Sequence, residues 1–300
     1  MNWPQLDQMS WGLLRESLRT AHSKIVLGGL LIGLCYLPVW LVESFHRTEK
    51  GIATPLILVA AMFLALQELW QQRQRLSSLQ APCEDRQLGY ILILASSALF
   101  PFCRFAFWPQ SLLCLLVLVG IALSSWGLAF FQNYPRPVFL VVLSVHPAPD
   151  IMIEHLWRAL TPPQCVERLM AWLGSYALQL IGKQATATGP YISLPKGSVL
   201  VEWGCNGFNM AVTMALTGIL LGLVLRQNWR MTTGLAIVGA ILALIFNVPR
   251  IMLVTIAAVE WGPEPFKFWH GAWGGQIFSS ILFTIYYYAV MGILPQKSIK

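Results

Sequence analysis

Three residue types that together perform acyl transfer stand at comparable places along the chain. Cys205 lies in "VEWGCNGFNMAV", between Gly204 and Asn206-Gly207, just ahead of a long apolar run. Arg250 closes "NVPR" at the far end of the next apolar run, and His270 lies in "FWHGAWGG" at the start of the last one. A thiolate is a strong nucleophile, and a cation or a helix N-terminus lowers the pKa of its thiol. Cys205 precedes a helix, and Arg250 or His270 would supply the cation. An imidazole can take the thiol proton and later protonate a leaving amine. A guanidinium can stabilise an oxyanion or grip a carboxylate. Gly204 and Gly207 would let a substrate backbone come close.

Each of the three has an ordinary reading as well. A cysteine beside an apolar run is a small buried residue. An arginine at a helix end is a snorkelling anchor, although Arg250 follows Pro249 and sits among apolar residues. A histidine among Phe268, Trp269 and Trp273 is part of an interfacial aromatic belt. Asn206 and Asn247 are candidates for orienting site groups, with helix capping or interhelical hydrogen bonding as the alternative. Glu202 alternates with Val201 along a strand and is expected to face solvent. His146 and His155 read as interfacial. Of the six cysteines, no two have a CxxC spacing, which argues against a disulfide framework or a metal cluster. Cys35 and Cys114 are expected to be core residues. The chemistry requires no cofactor and no metal.

The elements that position these residues follow from composition. Of the 300 residues, 56% are hydrophobic and 11% charged, with a mean hydropathy of +0.62. Soluble domains carry about 25% charged residues. The runs are long and unbroken rather than short and alternating. This predicts an all-α polytopic membrane protein and excludes a barrel. The net charge of +7 reports basic cytoplasmic loops; there is no basic stripe with interleaved aromatics to suggest a nucleic-acid partner. No cleavable signal peptide is expected, because the first 24 residues are polar.

About 20 apolar residues span a bilayer core. Spans are expected over 25–42, 52–70, 88–107, 111–131, 207–225, 232–250 and 271–293, with a short eighth over 135–147. Counting the eighth places Arg15, Arg19, Lys24, Arg73, Arg75, Arg86, Arg226, Arg230, Lys297 and Lys300 on one face, which is therefore cytoplasmic, with both termini. Cys205, Arg250 and His270 then share the outer face. The segment 148–206 lies outside. It is expected to hold two interfacial helices, "IMIEHLWRAL" and "CVERLMAWLGSYALQLIG", and a β-hairpin in which "YISL" and "SVLV" flank a Pro-Lys-Gly turn. We expect one integral-membrane domain over 1–300, with N-terminal spans over 1–131 and a core over 132–294.

These strings resemble the exosortase/archaeosortase family, most closely its cyanobacterial members, over roughly residues 130–294. The cysteine block, a strand followed by a small residue, Cys, a small polar residue, Gly and a span, matches "SVLVEWGCNGFNMAV". The arginine block matches "NVPRI", the histidine block "WHGAWGG", and the family's hairpin "YISLPKGSVLVE". Many members have Cys-Ser-Gly where this chain has Cys205-Asn206-Gly207. The resemblance implies a membrane thiol peptidase and transpeptidase of protein sorting. Its substrates would be exported proteins whose C-terminal tail carries a Pro-Glu-Pro-like motif, an apolar helix and a basic end. Cys205 would carry a thioester, His270 the proton, and Arg250 the oxyanion or substrate. The acyl acceptor is left open. The competing readings are a transporter or non-enzymatic export factor, suggested by the helix breaks near Pro249 and Pro263, and a membrane acyltransferase, which would leave the cysteine unexplained.

Overall fold

A computed structural model describes residues 20–293 of the protein. The basic residues Arg15, Arg19, Lys297 and Lys300, both termini and the expected absence of a signal peptide lie outside the described residues. Helices dominate, because the apolar runs must satisfy their own backbone groups when water is absent. In chain order they are α1 (Ala21–Glu49), α2 (Thr54–Gln71), the single turn α3 (Arg73–Leu76), α4 (Cys83–Leu99) and α5 (Phe107–Trp126). They continue as α6 (Leu128–Asn133), α7 (Pro135–Val145), α8 (Pro149–Leu160) and α9 (Cys165–Leu180). A three-stranded sheet, β1 (Thr186–Thr188), β2 (Tyr191–Leu194) and β3 (Gly197–Leu200), precedes α10 (Phe208–Val224), α11 (Trp229–Ile256), α12 (Pro263–His270) and α13 (Ala272–Ile293).

Among the described residues, six helical stretches are long and apolar enough to cross a membrane: α1, α2, α4 with its 3₁₀ extension to Cys103, α5, α11 with its extension to Trp261, and α13. The pair α7 and α8, interrupted at His146–Ala148, makes a seventh if it counts as one span. The 17-residue α10 is apolar but shorter. The expected count of eight therefore depends on taking both α7 and α10 as crossings.

Two compact units emerge. The first holds residues 20–44 together with Leu58–Pro147. There α4 and α5 meet through small residues: a Cβ added at Gly89 would lie 2.6 Å from the Gly120 carbonyl oxygen. Tyr36 Oη donates to the Val145 carbonyl at 2.9 Å and Trp40 Nε1 to that of Ser144 at 3.0 Å, fixing α1 against α7. Cys114 is buried as expected. Cys35 is not a core residue; it lies on the exposed side of α1, whose mostly apolar surface leaves the sequence no signal for which face turns inward.

The second unit holds Phe45–Ile57 and residues 148–293, and it contains the candidate site. Its centre is the helical hairpin α10–α11. The turn between them starts α11 with a side-chain cap, Asn228 Oδ1 accepting from the Met231 N–H at 2.8 Å. Gly218 sits against the α11 backbone, where a Cβ would come within 2.7 Å of Ala236. Tyr286 Oη donates to the Leu235 carbonyl at 2.9 Å and ties α13 to α11. Arg47 and Asp150, both buried, form an ion pair that links the end of α1 to the start of α8. The segment after α8 packs on α11: Gly174 of α9 leaves room for Ile192 of β2 and Ile251 of α11.

The sheet has the order β1-β2-β3, antiparallel throughout, with Leu194 paired to Gly197 across the Pro195-Lys196 turn. The β2–β3 hairpin is the expected one. The strand β1 was not anticipated, since "TAT" is too short to show alternation. Helix α11 also departs from expectation. It does not end at Arg250 but runs through Pro249 to Ile256, then closes in a π-turn, Ala257–Trp261. Proline costs one main-chain donor inside a helix, but here the flanking turns carry the helix past it.

Candidate active site

Cys205 ends a 3₁₀ turn, Trp203–Cys205, that carries the chain from the sheet into α10. Its N–H donates to the Glu202 carbonyl at 2.9 Å. Two residues then turn the chain into the helix. Asn206, fully buried, accepts the Phe208 N–H on its Oδ1 at 2.9 Å. Gly207 adopts φ +82°, and a Cβ there would lie 2.7 Å from Asn247 Cγ. Glycine is thus required twice, by backbone conformation and by the side chain packed against it. The space in the Cβ direction of Gly207 is filled by Asn247. At Gly204 nothing lies within 4 Å of an added Cβ.

Helix α11 supplies the next two residues. Asn247 and Arg250, three apart, share one face. Asn247 Nδ2 donates to the Cys205 carbonyl at 2.9 Å, pinning the backbone of the thiol residue. Arg250 lies 21 residues beyond Trp229, roughly 32 Å along the helix, about one bilayer core. His270 does not start the last span. It is the final residue of the short helix α12, separated from α13 by Gly271. Its ring stacks on Phe266, one turn earlier, at 5.0 Å between centroids and 24° between planes. Sequence reading missed Phe266; the signal was the i−4 spacing within "PEPFKFWH".

The three candidates meet. Cys205 Sγ lies 3.0 Å from His270 Nε2, within hydrogen-bonding distance for sulfur. Both line a cavity of about 390 Å³ with Arg250, the end of β3 (Val199 and Leu200), Val201 and Glu202. A second cavity, of about 530 Å³, also reaches Arg250 and His270 and lies against Gly204, Asn209 and Gly275. Arg250 and His270 thus border both spaces, and Cys205 borders only the first.

Electrostatics corrects one expectation. Burial pushes the Cys205 thiol above its ordinary value; Arg250 pulls it back down, and Glu202 pushes it up again. Desolvation outweighs the cation. Helix α10 begins three residues beyond the cysteine, so the thiol is not seated on that helix N-terminus. The resting thiol is protonated at neutral pH, and the histidine at 3.0 Å is placed to remove that proton. Glu202 is exposed as expected, yet it acts on the thiol through its charge. Of the two histidines read as interfacial, His155 Nδ1 lies 2.8 Å from the Ile151 carbonyl oxygen of its own helix.

Cys205, His270 and Arg250 thus border one cavity of a polytopic helical membrane protein. Residues 40–287 match the model of the transmembrane exosortase family, and the chain belongs to that family. It is a multi-pass membrane protein of a family of sorting-related cysteine proteases and transpeptidases. The match extends well into the N-terminal spans, which the sequence motifs do not reach. Comparison with curated proteins and with solved structures gives no match.

Proposed function

We propose that the protein is a thiol-dependent transpeptidase that removes the C-terminal sorting tail of exported proteins and passes them to an acceptor. One observation carries the reading: Cys205 Sγ and His270 Nε2 are 3.0 Å apart in a cavity that Arg250 also lines. His270 Nε2 takes the thiol proton as sulfur attacks the scissile carbonyl. The oxyanion that forms is met by the Arg250 guanidinium. The C–N bond breaks, His270 returns the proton to the departing amine, and the acyl group remains as a thioester on Cys205. An acceptor nucleophile, or water, then attacks the thioester and delivers a proton through His270, and the thiol is restored. Asn206, Gly207 and Asn247 hold the cysteine turn in place.

The reading includes the tripartite tail, with its Pro-Glu-Pro-like motif, apolar helix and basic end. It also includes the cyanobacterial type, a single catalytic domain, and a site on the extracytoplasmic face of the inner membrane with both termini cytoplasmic. The test is co-expression with a tagged exported protein that bears such a tail. The tail is expected to be lost with the native chain and kept with Cys205→Ala, while the variant still inserts in the membrane. Normal processing by Cys205→Ala defeats the reading.

A further inference from the structure

The sheet ends at β3, and among the described residues no strand pairs with its outer edge. The direction of its main-chain groups can be read from the ladder. The Val201 N–H donates to the Pro190 carbonyl at 2.9 Å, so Val201 turns its groups toward the β2 side. In an antiparallel ladder the sides alternate by residue. Val199, opposite Ile192, therefore faces β2, whereas Ser198 and Leu200 turn their N–H and C=O to the free edge. The two ends of that edge differ. Near Gly197 the π-turn after α11 closes in, with Val259 3.7 Å from where a Cβ would stand. At the other end Leu200 is 40% exposed and lines the 390 Å³ cavity that holds Cys205, Arg250 and His270.

An unpaired main-chain donor and acceptor at an apolar cavity leave two groups to be satisfied. An extended polypeptide supplies both at strand spacing, and this is how peptides add to exposed sheet edges. A lipid tail or a small apolar ligand supplies neither. Val201, Ile251 and Val254 offer apolar contacts to side chains of such a strand.

We propose that β3 is the docking edge for the substrate, which adds as a short fourth strand at Leu200 and is thereby led to Cys205. One substrate residue exchanges both main-chain hydrogen bonds with Leu200, the C=O accepting from the Leu200 N–H and the N–H donating to the Leu200 C=O. Its two neighbours turn their N–H groups away. This inference rests on the reading of the chain as a thiol peptidase. It assigns recognition to main-chain groups of Leu200, with Arg250 and His270 reserved for the chemistry.

The experiment uses the full chain in lipid nanodiscs. The probe is a synthetic peptide spanning the motif of the co-expressed tagged protein, unmodified and N-methylated at one position at a time. Cleavage and protection of Cys205 from iodoacetamide are both followed. N-methylation at one position is expected to lower cleavage and protection about tenfold, the scale of one main-chain hydrogen bond, with both neighbouring positions tolerated. In the protein, Leu200→Pro is expected to lose cleavage about tenfold with Cys205 still alkylated in the absence of peptide. Equal tolerance at all positions, loss at two adjacent positions, or full cleavage by Leu200→Pro overturns strand addition and leaves the peptidase reading intact. An unmodified peptide that is neither cleaved nor protective overturns the peptidase reading and this inference with it.

Discussion

At the scale of single residues, the resting state of Cys205 sets what the site must do first. A thiol raised by burial, with Arg250 and Glu202 acting in opposite directions, is not a preformed thiolate. Alkylation by iodoacetamide proceeds through the thiolate, so its rate at Cys205 is expected to be still rising at pH 9, the ordinary thiol value. Arg250→Gln removes the downward pull and should shift the rise to higher pH; Glu202→Gln should shift it to lower pH. On the acid side of the rise, moving the thiol pKa by one pH unit changes the thiolate fraction about tenfold. A plateau below pH 8, or the same profile in both variants, would contradict this account. The neighbour Asn206 answers a question the sequence raises and cannot settle. Its side-chain oxygen does not face the thiol but accepts the Phe208 N–H, a turn-closing bond a serine hydroxyl also makes. Asn206→Ser is therefore expected to retain processing, and Asn206→Ala to lose about 1 kcal/mol of stability, read as a lower melting temperature of the purified protein.

At the scale of elements, the site is the meeting of the 3₁₀ turn, α11 and α12, and each joint can be tested. Gly207 and Gly204 flank the same cysteine but stand in opposite situations. Alanine at Gly207 must adopt φ +82° and displace Asn247, which pins the Cys205 carbonyl. Gly207→Ala is expected to destabilise by about 1–3 kcal/mol and to lower processing, whereas Gly204→Ala, with open space around it, should leave both near the native level. Thermal melts and tail cleavage of the two variants decide the matter; equal effects would refute it. The hairpin β2–β3 was legible because "YISL" and "SVLV" alternate around a Pro-Lys-Gly turn. The place of His270 was not, because "FWHGAWGG" shows no helical period and hides the break at Gly271 between α12 and α13. The course of α11 was misread for a related reason: Pro249 and Arg250 carry the local marks of a helix end, but packing across α9 and α10 keeps the helix going. Strand addition at Leu200 also has a bearing on the motif implied by the resemblance. Proline at alternate positions is the pattern a strand edge accepts without losing a bond.

At the scale of the whole molecule, composition alone established a helical membrane protein, since no soluble core absorbs so many apolar residues with so few charges. The number of crossings was harder to read, because hydropathy measures length and α7 and α10 are both short. The sidedness of the chemistry hangs on those two elements. If α7 crosses, Cys83, before α4, and Cys205 lie on opposite faces, and the basic loops at Arg73–Arg86 and Arg226–Arg230 share the cytoplasm. If α7 turns back, the two cysteines lie on the same face and the basic "RQNWR" turn is exported. Single-cysteine variants that keep only Cys83, Cys165 or Cys205 separate these cases in intact cells treated with a membrane-impermeant maleimide. Cys165 and Cys205, from the segment between α7 and α10, are expected to label from outside, and Cys83 only after the membrane is opened. Cys205 should label more slowly than Cys165, because its thiol is raised by burial. Labelling of Cys83 alone reverses the orientation. Protection of all three until the membrane is opened means that α7 does not cross, which would place the thiol where no exported protein can meet it.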